Sequence, residues 1–296
     1  MSAMPSLLDV QATGDPTRAT LRARAGVRSS HVINPYLTGK FCEHLGTNIN
    51  NGMWAQVLRN PTFADVPFAA PGVAPSGGTP FLVDEEAISE RIRAQCAHLG
   101  LPEGVASAMI AARTAGLAYG WVRAGSEDAA RFSPDVGPYG GRAQRVELRR
   151  AECGVAQWTY LPLHRVRRFR WRVIARSPDL DTLALRLKAT AEATPVSEAQ
   201  IGGLSTAWTT FTGEMAVDPS APSDAPYRLE LVGLRPGQFV VARVLLEPAD
   251  SIGGADPDVV RLLRDSRLPL LRWPGGNFAS GYHWEDGVGK KREPTD

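Results

Sequence analysis

His164-Arg165-Val166-Arg167-Arg168-Phe169-Arg170-Trp171-Arg172-Val173 is the stretch on which the fold turns. Its five arginines with aromatics between them admit a nucleic-acid patch. From Arg168 onward, however, basic and apolar residues alternate strictly, and a strand sends successive side chains to opposite faces. Phe169, Trp171 and Val173 then face a core, and Arg168, Arg170 and Arg172 face solvent. The same period of two returns at Val146 and Leu148, at Leu183, Leu185 and Leu187, and at Tyr227, Leu229 and Leu231. Phe239 to Leu246 is a further, nearly all-apolar run. Turn clusters such as Ser177-Pro178-Asp179 and Asp218-Pro219-Ser220-Ala221-Pro222 separate these segments. Many short alternating strands between turns predict a β-sandwich over residues 120–246.

Outside that module the period changes. Residues 1–30 begin without a pattern and end in a strand-like alternation, Ala19 to Arg24. Tyr36 to Glu43 predicts a strand, and Pro67 to Pro80 a loop. Glu85 to His98 predicts a short helix with Ala87, Ile88, Ile92 and Cys96 on one face. Beyond the module, Asp256-Pro257 opens a helix whose apolar side is Val259, Val260, Leu262 and Leu263. Leu268-Pro269-Leu270-Leu271 then predicts a buried strand that stops at Pro274-Gly275-Gly276. Helix-to-strand units thus flank an all-β insertion. The fold class expected is α/β plus all-β, divided into 1–119, 120–246 and 247–296.

Composition narrows the function. The chain has 296 residues, 43% of them hydrophobic and 22% charged, as in globular proteins. A net charge of +2 provides no global field to recruit nucleic acid or an anionic membrane. No apolar run approaches the ~20 residues of a membrane span. Met1 to Arg18 lacks the basic start and apolar centre of a secretory leader, which makes the cytoplasm the default compartment. Three cysteines, Cys42, Cys96 and Cys153, are too scattered for a disulfide framework. Cys42 with His44, and Cys96 with His98, form close pairs, but no further ligands follow at zinc-like spacing, so no metal and no cofactor is expected. There is no Walker loop, dinucleotide glycine fingerprint or Gly-x-Ser-x-Gly elbow.

Two constellations can carry chemistry. In Gly39-Lys40-Phe41-Cys42-Glu43-His44-Leu45-Gly46, the Glu43 carboxylate at a strand end can accept two hydrogen bonds from hydroxyls or act as an acid or base. A plain surface loop also accounts for it. In Pro274-Gly275-Gly276-Asn277, the glycines let the backbone turn sharply and approach a ligand closely. Asn277 both donates and accepts, which matches a hydroxyl, but it also suits a tight turn that needs left-handed dihedrals. Tyr282, His283, Trp284, Glu285 and Asp286 follow in the same loop.

Both constellations lie in longer segments that resemble the α-L-arabinofuranosidases of glycoside hydrolase family 51. One runs from Ile33-Asn34-Pro35 through Glu43-His44-Leu45-Gly46 to Asn60-Pro61-Thr62-Phe63. The other runs from Pro248-Ala249-Asp250 through Arg272-Trp273-Pro274-Gly275-Gly276-Asn277-Phe278 to Gly289. The intervening module, with Gly154 to Trp158 and His164-Arg165, is similar to the carbohydrate-binding-like sandwich that some members carry. The resemblance implies a partial (β/α)8 barrel, first strands only, with that sandwich inserted. It also implies retaining cleavage of terminal arabinofuranosyl groups by two glutamates without a metal, and an arabinose-containing oligo- or polysaccharide as partner. It leaves an oligomer of the full-length enzyme open. The family's substrate-holding residues fall on Glu43 and Asn277.

The family's acid/base and nucleophile motifs do not occur before Asp296, so both glutamates are expected beyond residue 296. The chain alone is then expected to hold a sugar without cleaving it. A whole barrel takes about 250 residues, more than remain once the module is set aside, and a partial one leaves strand edges open. Glu285 and Asp286 do not replace the missing pair. Adjacent side chains in an extended segment diverge, whereas glycosidase carboxyls face each other ~5–5.5 or ~6.5–9.5 Å apart. Two alternatives remain. One is a non-catalytic glycan-binding protein built on 120–246, with Trp158, Trp171 and Trp208 as either core or sugar platform. The other is a related endoglucanase or xylosidase of the same family.

Overall fold

A computed structural model describes residues 8–12, 14–15, 17, 19–23, 25–26, 30–43, 48–50, 52–65, 85–190, 193–276, 279, 282 and 284. The first strands are β1 (Leu8–Ala12), β2 (Ala19–Ala23) and β3 (Lys40–Phe41), followed by helices α1 (Glu85–His98) and α2 (Val105–Thr114). The sandwich strands are β4 (Val122–Ala124), β5 (Ala130–Val136), β6 (Arg142–Leu148), β7 (Cys153–Tyr160), β8 (Arg168–Arg176), β9 (Thr182–Lys188), β10 (Ser197–Gly202), β11 (Thr209–Ala216), β12 (Pro226–Gly233) and β13 (Gly237–Pro248). Helix α3 (Pro257–Asp265) and strand β14 (Leu271–Arg272) complete the order.

Two antiparallel five-stranded sheets, β10-β9-β12-β7-β4 and β11-β8-β13-β6-β5, face each other. The alternation read from the sequence fills the space between them. Phe169, Trp171 and Val173 of β8 meet Leu183, Leu185 and Leu187 of β9 and Tyr227, Leu229 and Leu231 of β12, none more than 7% exposed. Arg168 pairs with Glu214 across the sheet and Arg170 with Glu247 at 3.1 Å, so the basic run is a neutralised outer face. β13 is long enough to lose phase. A register shift between Val241 and Arg243 lets Phe239 and Val241, then Val244 and Leu246, all point inward.

The outer face of the first sheet is also buried. Ile88, Ile92 and Cys96 recur every fourth residue on α1 and pack with Val105 and Met109 of α2 onto Val122, Ala156, Trp158, Ala184 and Val232. Helix α1 has the bounds its periodicity predicts. Helix α2 was not foreseen, although Val105, Met109 and Ala112 are its buried stripe. Trp158 is therefore core beneath the helices and Trp171 core between the sheets, each 7% exposed. Trp208 lies against the outer face of the second sheet, with the Arg176 guanidinium 4.8 Å above its ring.

Residues 55–63 form a strap on this body. β6 pairs with β13 only as far as Val241. Beyond that point, Val57 N donates to the Leu246 carbonyl (3.0 Å) and Val244 N donates to the Pro61 carbonyl (2.9 Å). Phe63 is fully buried and stacks on Trp121 at 4.3 Å between ring centroids. Trp121 Nε1 donates to the Asn60 carbonyl (2.7 Å), and Asn60 Nδ2 donates to the Tyr119 carbonyl (2.9 Å). The Asn60-Pro61-Thr62-Phe63 motif thus has a structural task in the sandwich core.

Two expected strands come out differently. Pro35–Thr38 is a 3-10 turn, because Pro35 suits its first position and Asn34 Oδ1 caps Tyr36 N at 2.9 Å, so only Lys40–Phe41 remains extended. The strand expected at Leu268–Leu271 begins at Leu271, and Leu270 and Leu271 are 48% and 40% exposed where burial was expected. Among the described residues β14 has a single neighbour, β3, and no layer covers it. Pro269 also cannot donate a ladder hydrogen bond. The strand expected at Ala19 to Arg24 is β2, and its partner β1, which the sequence did not announce, pairs with it in the register Leu8 to Ala23.

β3 and β14 run parallel. Parallel neighbours require a crossover, here α3, so β3, α3 and β14 form one β-α-β unit with the sandwich inserted between strand and helix. Asp256 Oδ1 caps α3 by accepting from Asp258 N (2.9 Å) and Val259 N (3.3 Å). Arg165, from the β7–β8 connection, ties this unit to the sandwich through Asp250 (2.9 Å), Asp256 (2.7 Å) and Asp258 (2.8 Å). Among the described residues this is the single β-α-β unit, and the partial barrel expected from the sequence is not shown by it.

Candidate functional site

The parallel register decides where the two sequence constellations meet. Lys40 N donates to the Leu270 carbonyl (3.0 Å) and Cys42 N to the Arg272 carbonyl (2.9 Å), which sets Lys40 opposite Leu271 and Phe41 opposite Arg272. Continued two residues, the same register brings Glu43 and Pro274 to matching places past the C-terminal ends of their strands. That end of a parallel sheet is where α/β folds place their ligands.

The two loops touch. A Cβ at Gly275 would strike the Phe41 ring and lie 3.1 Å from the Cys42 carbonyl. A Cβ at Gly276 would fall within bonding range of Glu43 Oε2 and 3.0 Å from Oε1. Gly276 is also left-handed, with φ of 61°. The glycines were expected to let the backbone turn sharply and approach a ligand; here the place of a Cβ is taken by the Phe41 ring at Gly275 and by the Glu43 carboxylate at Gly276. Glu43 is half-buried, and the Arg272 guanidinium lies 5.3 Å over the Phe41 ring. Cys42 beneath them is buried, which pushes its thiol pKa up. A carboxylate so placed can accept hydrogen bonds from two neighbouring hydroxyls. Asn277 lies outside the described residues, as do His44, His283, Glu285 and Asp286.

Other groups singled out in the sequence have structural tasks. Cys96 Sγ donates to Met109 Sδ (3.7 Å) inside the α1–α2 interface. Among the described residues no three His, Cys, Asp or Glu side chains gather as a metal site would need. No described helix is long and apolar enough to cross a membrane. A cleft of about 420 Å³ is lined by Asp65, Glu85, Arg113 and Arg142, among others, and not by Glu43. Its charges are satisfied within it: Arg113 pairs with Glu85 (2.8 Å) and Arg142 with Asp65 (2.6 Å).

No family profile matches the chain. Over 40 residues it is 58% identical to the intracellular exo-α-(1→5)-L-arabinofuranosidase of Halalkalibacterium halodurans, covering 14% of this chain and 8% of that protein. Over 36 residues it is 56% identical to the intracellular exo-α-(1→5)-L-arabinofuranosidase 1 of Bacillus subtilis, covering 12% and 7%. An arabinose-bound MgGH51 α-L-arabinofuranosidase superposes on 88% of this chain with a TM-score of 0.58 and 17% identity. This chain is in part similar to the family 51 α-L-arabinofuranosidases. The likeness in sequence is a short segment, the likeness in fold extends over most of the chain, and the chain spans 39% of the superposed enzyme. A CBM4 structure aligns with 43% of the chain at a TM-score of 0.34, too low to inform a ligand.

Proposed function

We propose that Glu43 and the Pro274–Gly276 loop are the sugar-holding part of an α-L-arabinofuranosidase site, with Asn277, next in the chain, completing it. The observation that carries this is the parallel pairing of β3 with β14, which sets Glu43 against Gly276 at the strand ends. The names of the sequence relatives support the choice of arabinofuranosyl groups over other sugars. Glu43 would accept hydrogen bonds from adjacent hydroxyls of the terminal sugar, and such contacts can tighten by several kcal/mol as the ring flattens toward the oxocarbenium-like transition state.

In this reading the β3–α3–β14 unit is the start of a (β/α)8 barrel drawn from 1–119 and 247–296, and 120–246 is the inserted sandwich. Cleavage itself needs two further carboxylates, one to attack the anomeric carbon and one to protonate the leaving oxygen and then activate water. No motif in this chain supplies them, so the chain alone holds the sugar without turning it over. The relatives described as intracellular favour the cytoplasm. Calorimetric titration of the chain with arabino-, xylo- and gluco-oligosaccharides of equal length tests the proposal. Preferential binding of the arabino series is expected; preference for either of the others would overturn it.

A further inference from the structure

We propose that Gly276 is a positioning residue for Glu43: its missing side chain is the space in which the carboxylate sits, so any larger residue displaces that carboxylate. The proposal rests on the sugar-holding reading for its consequence, but not for its geometry. Three observations carry it. Both carboxylate oxygens of Glu43 lie against the position a Cβ would take on Gly276, one of them within bonding range. The neighbouring Gly275 is closed on its own side by the Phe41 ring and the Cys42 carbonyl, so the loop cannot back away without breaking its seat on β3. The β3–β14 hydrogen bonds, at 3.0 and 2.9 Å, hold the two backbones in that register. Of the two groups that meet, one is main chain held in register and the other is the end of the flexible Glu43 side chain, so it is the carboxylate that gives way.

Gly276 has a second reason to be glycine, its left-handed backbone, and the experiment must separate the two. Gly253 provides the control, since its φ of 60° matches the 61° of Gly276 and nothing lies within 4 Å of its would-be Cβ. Alanine at either site meets the same backbone penalty, but only Gly276→Ala meets Glu43. The full chain, labelled with carbon-13 at glutamate carboxyls, gives a Glu43 resonance identified by its loss in Glu43→Gln. That resonance should move in Gly276→Ala and stay in Gly253→Ala. A resonance unmoved in Gly276→Ala overturns the proposal.

L-Arabinose titration of the same samples gives the consequence. Gly276→Ala should weaken binding about tenfold or more, as Glu43→Ala does, and the double variant should be no weaker than either, because both remove one contact. Additive losses would contradict the positioning role. If the resonance moves but the unaltered chain shows no arabinose binding, the positioning inference stands and the sugar-holding reading falls. If Gly276→Ala unfolds the chain, adding Glu43→Ala should restore its melting temperature toward that of Gly253→Ala; failure to do so also counts against the proposal.

Discussion

Replacing Phe63 by alanine tests whether a segment with a family-like motif belongs to the sandwich core. Phe63 has no exposed surface and stacks on Trp121 at 4.3 Å with 20° between ring planes. Truncating a buried phenylalanine costs about 3–5 kcal/mol, of which about 1 belongs to the aromatic pair. Phe63 is itself left-handed, with φ of 59°, and alanine meets the same backbone cost there, so that term cancels. The net expectation is about 4 kcal/mol, a quarter or more of a typical domain's stability of about 5–15 kcal/mol. With a urea dependence of about 3 kcal/mol per molar, the midpoint should fall by roughly 1.3 M. Urea unfolding followed in parallel by tryptophan fluorescence and far-ultraviolet circular dichroism reads both the shift and its cooperativity. A loss below about 1 kcal/mol would show that residues 55–63 lie on the sandwich without being part of its core.

Further outcomes follow from the charges and thiols. Hydrogen bonding from Arg165 holds the Asp258 carboxyl below its ordinary value, helped by the charges of Arg165 and Arg261. The unfolded chain therefore binds the proton first on acidification. The stability this carboxylate adds is complete above about pH 4 and is lost as pH falls through its folded value. Asp258→Asn should lower the melting temperature at pH 6 and by less as the pH falls below about 4; an effect that does not shrink on acidification would contradict the ion pair. Burial pushes the thiol pKa up at Cys42, Cys96 and Cys153, all free and buried. None should react with Ellman's reagent at pH 8 until urea unfolds the chain, and rapid labelling of the native protein would refute the burial.

How much of this was legible depended on whether a segment's partner lay nearby in sequence. The strands β6, β8, β9 and β12 announce themselves because a sheet with a buried inner face imposes a period of two on each strand separately, and β13 does so as a nearly all-apolar run. Helix α1 did so through Ile88, Ile92 and Cys96, and α3 through Asp256-Pro257 at its start. The short strands β3 and β14 carry no such imprint. They are set by hydrogen bonds to each other, some 230 residues apart, and by Asn34 and Pro35 diverting the chain into a turn. The apolar run at Leu268–Leu271 suggested burial because its composition says nothing of what covers it. Glu43 was readable as a candidate and Gly276 as part of the turn before Asn277, but the contact of Glu43 with Gly276 appears only once the parallel register is known. The task of Asn60 and Phe63 in the sandwich was hidden for the same reason, since Tyr119 and Trp121, which they hold, lie far along the chain.

A titration of the chain with L-arabinose, followed by NMR in parallel with Glu43→Ala, tests whether Glu43 holds the sugar. Saturable binding is expected, weakened about tenfold or more in the variant while the rest of its spectrum is retained. Equal binding by both proteins, or none by either, would contradict that role.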